Sequence, residues 1–192
     1  MARRVLTAVR FHTIAVILAL AAAYVPAHAS ETDAVDCSAG AKAALPASRM
    51  KEVMAFRQQV TSGPFFKELV RRHGKPSTCQ IGINENNLTL TYSFGEKALL
   101  EARSNSTIES SEQRLQLRGL TEPQAMGLLK KSEKNAFGDN GCPIDWQHVA
   151  EDSQGKEPGS HEVVYRGDTC NCQGRLVYEK RALVALVIRS AC

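Results

Sequence analysis

Six cysteines are the residues of this sequence best suited to covalent or metal chemistry: Cys37, Cys79, Cys142, Cys170, Cys172 and Cys192. A thiol can form a disulfide, hold a soft metal or attack as a nucleophile, and its spacing separates these roles. No two of the six stand as Cys-x-x-Cys, so the spacing of zinc ribbons and of redox-active dithiols is absent. Cys170-Asn171-Cys172 is the tightest pair. On a strand both side chains would share a face, with Cα atoms about 6.5 Å apart, near the upper limit for bridging one another. Two thiolates on one face would suit Cu(I) or zinc, but no histidine pair at ligand spacing accompanies them. The six therefore read as disulfide cysteines, Cys170 and Cys172 each pairing elsewhere, among 15 formal connectivities. Neither a metal nor a cofactor is expected.

Acid–base chemistry has few candidates. Beyond residue 29 the histidines are His73, His148 and His161. His148 follows Asp145 and Trp146, the one neighbourhood where a hydrolytic site could assemble from scattered residues. A surface or packing role suits this histidine better, because no partner spacing supports catalysis. Glu151 and Asp152 read as surface charges, and the catalytic residues stay unassigned. No Gly-x-Ser-x-Gly, His-Glu-x-x-His, phosphate loop or dinucleotide fingerprint occurs. Arg166-Gly167-Asp168 matches an integrin-type tripeptide, yet a turn explains the Gly-Asp pair. Asn87-Leu-Thr89 and Asn105-Ser-Thr107 are glycosylation sequons, relevant only in a eukaryotic secretory pathway.

The setting of these residues is an exported chain. Arg3, Arg4 and Arg10 form a basic start, residues 14–25 are an uncharged, mostly apolar run of 12, and Ala27-His28-Ala29 supplies small residues where a signal peptidase reads. That order is a secretory signal, and the run is shorter than the about 20 residues a spanning helix needs. Cleavage after Ala29 is expected, with a periplasmic or secreted product and no stable membrane anchor. Cys37 is preceded by Asp36, so it does not sit where a lipidated cysteine would. The 192-residue chain carries 24 Lys+Arg against 20 Asp+Glu. Without the three leader arginines, 21 basic side chains face 20 acidic ones. That balance argues against nucleic acid, which needs a concentrated basic surface.

The elements that must position these residues read as α+β. Residues 30–46 form an Ala-rich arm holding Cys37. Residues 48–60 predict a helix with Ser48 as N-cap and Met50, Val53, Met54 and Val60 as its apolar face. Pro64 opens a second helix and Gly74 closes it, with Arg71, Arg72 and His73 at the end where the dipole favours cations. Residues 88–94 alternate as a strand. Residues 97–103 read as its partner, although their helix propensity is also good, and 104–112 as a polar loop. Residues 114–118 alternate again, with Leu115 and Leu117 to one side. Thr121-x-x-Gln124 is a capping box before a central helix bearing Ala125, Leu128, Leu129 and Ala136. Residues 152–160 read as a polar loop. Strands follow at 162–165, 169–178 and 182–188, the last apolar throughout and so buried on both faces. A tight turn at 179–181 would place residues near 170 opposite those near 190, which makes Cys170–Cys192 a reasonable bridge.

An order repeats weakly. Residues 65–73, Gly74 and Cys79 precede one meander; residues 124–137, Gly138 and Cys142 precede another. The mature chain 30–192 reads as one domain, with subunits near 48–119 and 120–192. In element order alone, such tandem helix-plus-meander units are similar to secreted β-lactamase inhibitor proteins, whose sequence motifs are not matched. The function expected is non-enzymatic: an exported binding protein, of inhibitor or immunity type, acting on a protein partner. The alternative is a small secreted hydrolase with its site near Asp145 and His148.

Overall fold

The computed structural model describes residues 47–107, 110–137, 143–154, 159–167 and 171–191. The expected leader at 1–29, the arm at 30–46, Asp168, and Cys37, Cys142, Cys170 and Cys192 lie outside the described residues.

Two helices come first, α1 (Ala47–Ser62) and α2 (Pro64–His73). In α1 the buried stripe is Val53, Phe56 and Val60, spaced i, i+3, i+7 as one helical face requires. The expected Met54 is instead 51 % exposed. It lies about 100° around the helix from Val53, so Phe56 takes its place in the core. Helix α2 follows the sequence reading closely. Pro64 stands in its first turn, and Gly74, at φ +77°, closes it with an N–H donated to the Val70 carbonyl. Only glycine enters that left-handed region without steric cost.

Four strands follow: β1 (Thr78–Ile83), β2 (Asn87–Ser93), β3 (Ala98–Asn105) and β4 (Ser110–Leu117). After α3 (Glu122–Phe137) come β5 (Glu151–Gln154), β6 (Ser160–Arg166), β7 (Gln173–Glu179) and β8 (Ala182–Ala191). All eight form one antiparallel sheet in the order β1-β2-β3-β4-β8-β7-β6-β5. Two successive meanders are thus joined along β4 and β8, which supports the α+β expectation. Three stretches depart from expectation. The strand β1 was not expected, residues read as a 104–112 loop extend β3 and β4, and β5 occupies part of the expected 152–160 loop. The last two are polar, and pairing along the ladder overrides their weak strand propensity. β1 instead turns Cys79, Ile81 and Ile83 onto the core in alternation.

The sheet has two unlike faces. Across its middle, Tyr92, Leu100, Leu115, Leu186 and Leu176 pair in one row. All are buried, and all belong to the core that also takes Phe65, Leu69, Ala125 and Leu129 from the helices. Fully burying each such side chain is worth about 1.5–3 kcal/mol. The next row, one residue along, is Thr91, Glu101, Arg114, Val187 and Arg175, and it points to the opposite face. There a small second cluster of Val177, Ala185 and Val187, with Val184 against it, contains no helix residue. β8 contributes to both clusters, as its unbroken apolar run requires. Among the described residues no helix is long and apolar enough to cross a membrane.

Candidate interaction surface

The helix-free face carries a groove of about 720 Å³ at the end of the sheet where β2 turns into β3 and β7 into β8. Its floor includes Leu99, Ala185 and Val184, and its charged residues are Glu96, Lys97, Arg114, Arg118 and Glu179. Strand alternation puts them there. Leu115 and Leu117 point into the core at 0 % and 3 % exposure, so Arg114 and Gln116 must point away. Arg118, next in the same alternation, lines the groove with them.

The ion pairs around this groove are uneven. Glu101 stands opposite Arg114 in the β3–β4 ladder, yet its carboxylate pairs with Arg103 on its own strand. On the other side of β8, Arg175 Nη1 reaches Glu162 at 3.4 Å. Among the described residues, Lys97, Arg114 and Arg118 form no ion pair. Beside them, the β7–β8 turn holds Lys180 at φ +49° and Arg181 at φ +67°. Asparagine and glycine occupy such turns with least strain. Sequence reasoning saw Leu115 and Leu117 share a face; reading the same alternation outward would have found Arg114, Gln116 and Arg118.

The other chemistry-bearing residues are placed apart from the groove. Asp145 and His148 are both exposed on the segment after α3. The Asp145 carboxylate accepts the Gln147 N–H at 2.9 Å, which closes a local turn. Among the described residues no hydrogen bond joins it to His148. Trp146 is half-buried, its indole N–H donating to Glu133 at 2.7 Å. His73 is exposed at the end of α2. His161 stacks on Tyr178, with ring centres 4.6 Å apart. The Tyr178 hydroxyl donates to Glu122 at 3.2 Å. Burial, reinforced by the Glu122 charge, pushes this phenol up to about 12. Arg71 and Arg72, at the cation-favouring end of α2, both hold Glu68, at 2.7 and 2.6 Å.

Cys79 and Cys172, the two cysteines among the described residues, are not free thiols. Gly167 of the Arg-Gly-Asp tripeptide is packed rather than displayed. It bridges Ile144, and a Cβ there would meet the Pro143 carbonyl oxygen at 2.3 Å. The sequon residues Asn87 and Asn105 face each other across β2 and β3, joined by an Asn105 Nδ2 to Asn87 Oδ1 hydrogen bond of 2.6 Å. Among the described residues no three His, Cys, Asp or Glu side chains converge as metal ligands.

Among the described residues, the fold is a two-layer α+β arrangement with one helix-covered and one helix-free sheet face. Comparison with known proteins finds no matching family model, no matching curated protein and no matching solved structure.

Proposed function

We propose that the chain is an exported, non-enzymatic binding protein that engages a protein partner outside the cytoplasm, in the manner of an inhibitor or immunity-type factor. One observation carries the reading: the helix-free face presents a groove in which apolar Leu99, Val184 and Ala185 sit among long charged side chains. An apolar centre with an arginine-rich polar rim is the anatomy of protein interfaces. The leader pattern at 1–29 supports a partner in the periplasm or the medium.

Disulfide reinforcement belongs to the same proposal. Cys79 lies on β1 and Cys172 just before β7, five strand spacings apart in the sheet, or about 24 Å. They cannot bridge each other. The Asn171 N–H donates to the Ala191 carbonyl at 2.9 Å, which supports Cys170–Cys192 as the pairing of their sequence neighbours.

The test is reconstitution. The immobilised chain is expected to retain one stoichiometric protein from its own extracytoplasmic fraction, and the purified pair should re-form a complex. Retention of nothing, or turnover of an offered substrate by the purified chain, overturns the reading.

A further inference from the structure

We propose that the groove receives an extended acidic segment of the partner, with carboxylates at alternate positions, and that Arg114 and Arg118 read those carboxylates. This rests on the binding-protein reading above and names the chemistry of what is bound.

Three observations carry it. The first is spacing. Arg114 and Gln116 alternate on β4, and Arg118, one residue past its end, lines the same groove. Alternate residues of a strand repeat every 6.5–7 Å or so. An extended segment lying along them presents its own alternate side chains at the same repeat. Arginine's planar fork matches a carboxylate bidentately.

The second observation is that these donors are unspent. Glu101, the acid opposite Arg114, is held by Arg103. Among the described residues Lys97, Arg114 and Arg118 pair with no acid. Some arginines elsewhere are held by acids: Glu68 holds Arg71 and Arg72, and Glu162 holds Arg175.

The third is the hairpin tip. Lys180 and Arg181 adopt left-handed conformations, one position beyond the groove residue Glu179. Two L-residues held there cost roughly 1–2 kcal/mol each. Strain of this kind points to a use for the side chains. With Lys97, Arg114 and Arg118, the tip brings five cations to this end of the sheet against the exposed Glu96 and Glu179. The chain beyond residue 29 is nearly neutral, so this local excess is not a reflection of overall charge.

The test uses the purified, oxidised chain and a fluorescent decapeptide of alternating Glu and Ser. Binding is expected to weaken about tenfold or more in Arg114→Gln/Arg118→Gln, and to weaken with salt. Lys130→Gln, on exposed α3 surface, should leave it within about twofold, as a charge far from the groove would. Thermal melts of each variant show that the sheet is intact. Equal binding of a Gln/Ser decapeptide overturns the proposal. So does equal loss in Lys130→Gln, tighter binding of oligothymidylate, or complete displacement by sulfate at matched ionic strength. A reconstituted partner complex unaffected by Arg114→Gln/Arg118→Gln also overturns it while leaving the binding-protein reading standing; failure to find any partner removes that reading instead.

Discussion

The two halves of the sheet have the same strand plan and different covers. β1–β4 lie beneath two helices. Phe66 of α2 meets Tyr92 and Phe94 edge-on, with ring centres 5.0 and 5.8 Å apart. In the other half, α3 lies across β8 and β4, and the outer strands take cover from the non-helical stretch that follows it. There Trp146 packs on Tyr165 at 5.7 Å and lies directly over Gly174. A helix satisfies its own backbone, so its inner face can be purely apolar. A non-helical cover must find outside acceptors. Glu133 supplies two, taking the Ile144 N–H at 2.8 Å and the Trp146 indole N–H at 2.7 Å. The Asp145 and Ala150 amides are taken by the carbonyls of Arg166 and Val164.

The largest expected effect tests the apolar cover. Phe66→Ala removes the edge-on ring from a site 9 % exposed and should cost about 3–5 kcal/mol in denaturant unfolding. A loss below about 1 kcal/mol would mean that the first half does not depend on this contact. The tryptophan cover is tested at Gly174. A Cβ there would stand 2.3 Å from the Trp146 ring, so Gly174→Ala should cost about 1–3 kcal/mol through overpacking. Trp146 is the sole tryptophan, and its emission should shift to the red as the ring is displaced. Gly82 is the control in the first half: its added Cβ would meet Thr89 at an ordinary 3.7 Å, and Gly82→Ala should leave the emission unchanged.

Glu133→Gln comes next. The substitution keeps the shape but turns one of two acceptors into a donor facing a donor. A loss of about 1–2 kcal/mol is expected, with a red-shifted Trp146. Unchanged emission would show that packing on Gly174 and Tyr165 suffices without the anchor.

Legibility in the sequence follows the same division. α2 was readable because Pro64, the two phenylalanines and Gly74 mark its start, face and end by local chemistry. The Thr121–Gln124 cap was readable too, and the Gln124 side chain does accept the Thr121 N–H at 3.1 Å. Strand β8 betrayed its central place by having no polar side. β1 and β5 were missed for different reasons. Both are edge strands that pair only with the next strand in sequence. β1 alternates Cys79, Ile81 and Ile83 across Gln80 and Gly82, a local signal that was there to be read, whereas β5 is polar throughout and matches a loop equally well. The groove was half legible: alternation at 114–118 implied an outward row, but only the sheet order brings that row beside Lys97 and the 180–181 turn. Trp146 over Gly174 left no local signal, since neither residue is informative without the other.

The smallest effect sharpens the comparison from the first half's outer surface. There the polar contacts decorate the cover instead of anchoring it. Glu68 on α2 accepts from Arg71 and Arg72, and chiefly the Arg71 hydrogen bond, against some opposition from burial, holds its carboxyl down at about 2 from 4.5. A carboxylate whose folded value is depressed stabilises the fold above its unfolded value and loses that contribution as pH falls through the folded one. The contribution should therefore be complete above pH 4.5 and fade between 4.5 and 2. Glu68→Gln should cost about 1 kcal/mol or less at neutral pH, the range of partly exposed ion pairs. It should also flatten the acid limb of the stability curve in that window. Urea midpoints at pH 7, 4.5, 3 and 2, on the order of four samples across the limb, decide it. If wild type and variant fall in parallel below pH 4.5, the ion pair is not what the acid removes. If the two curves converge, the first half keeps its core without this contact, as an apolar helical cover should.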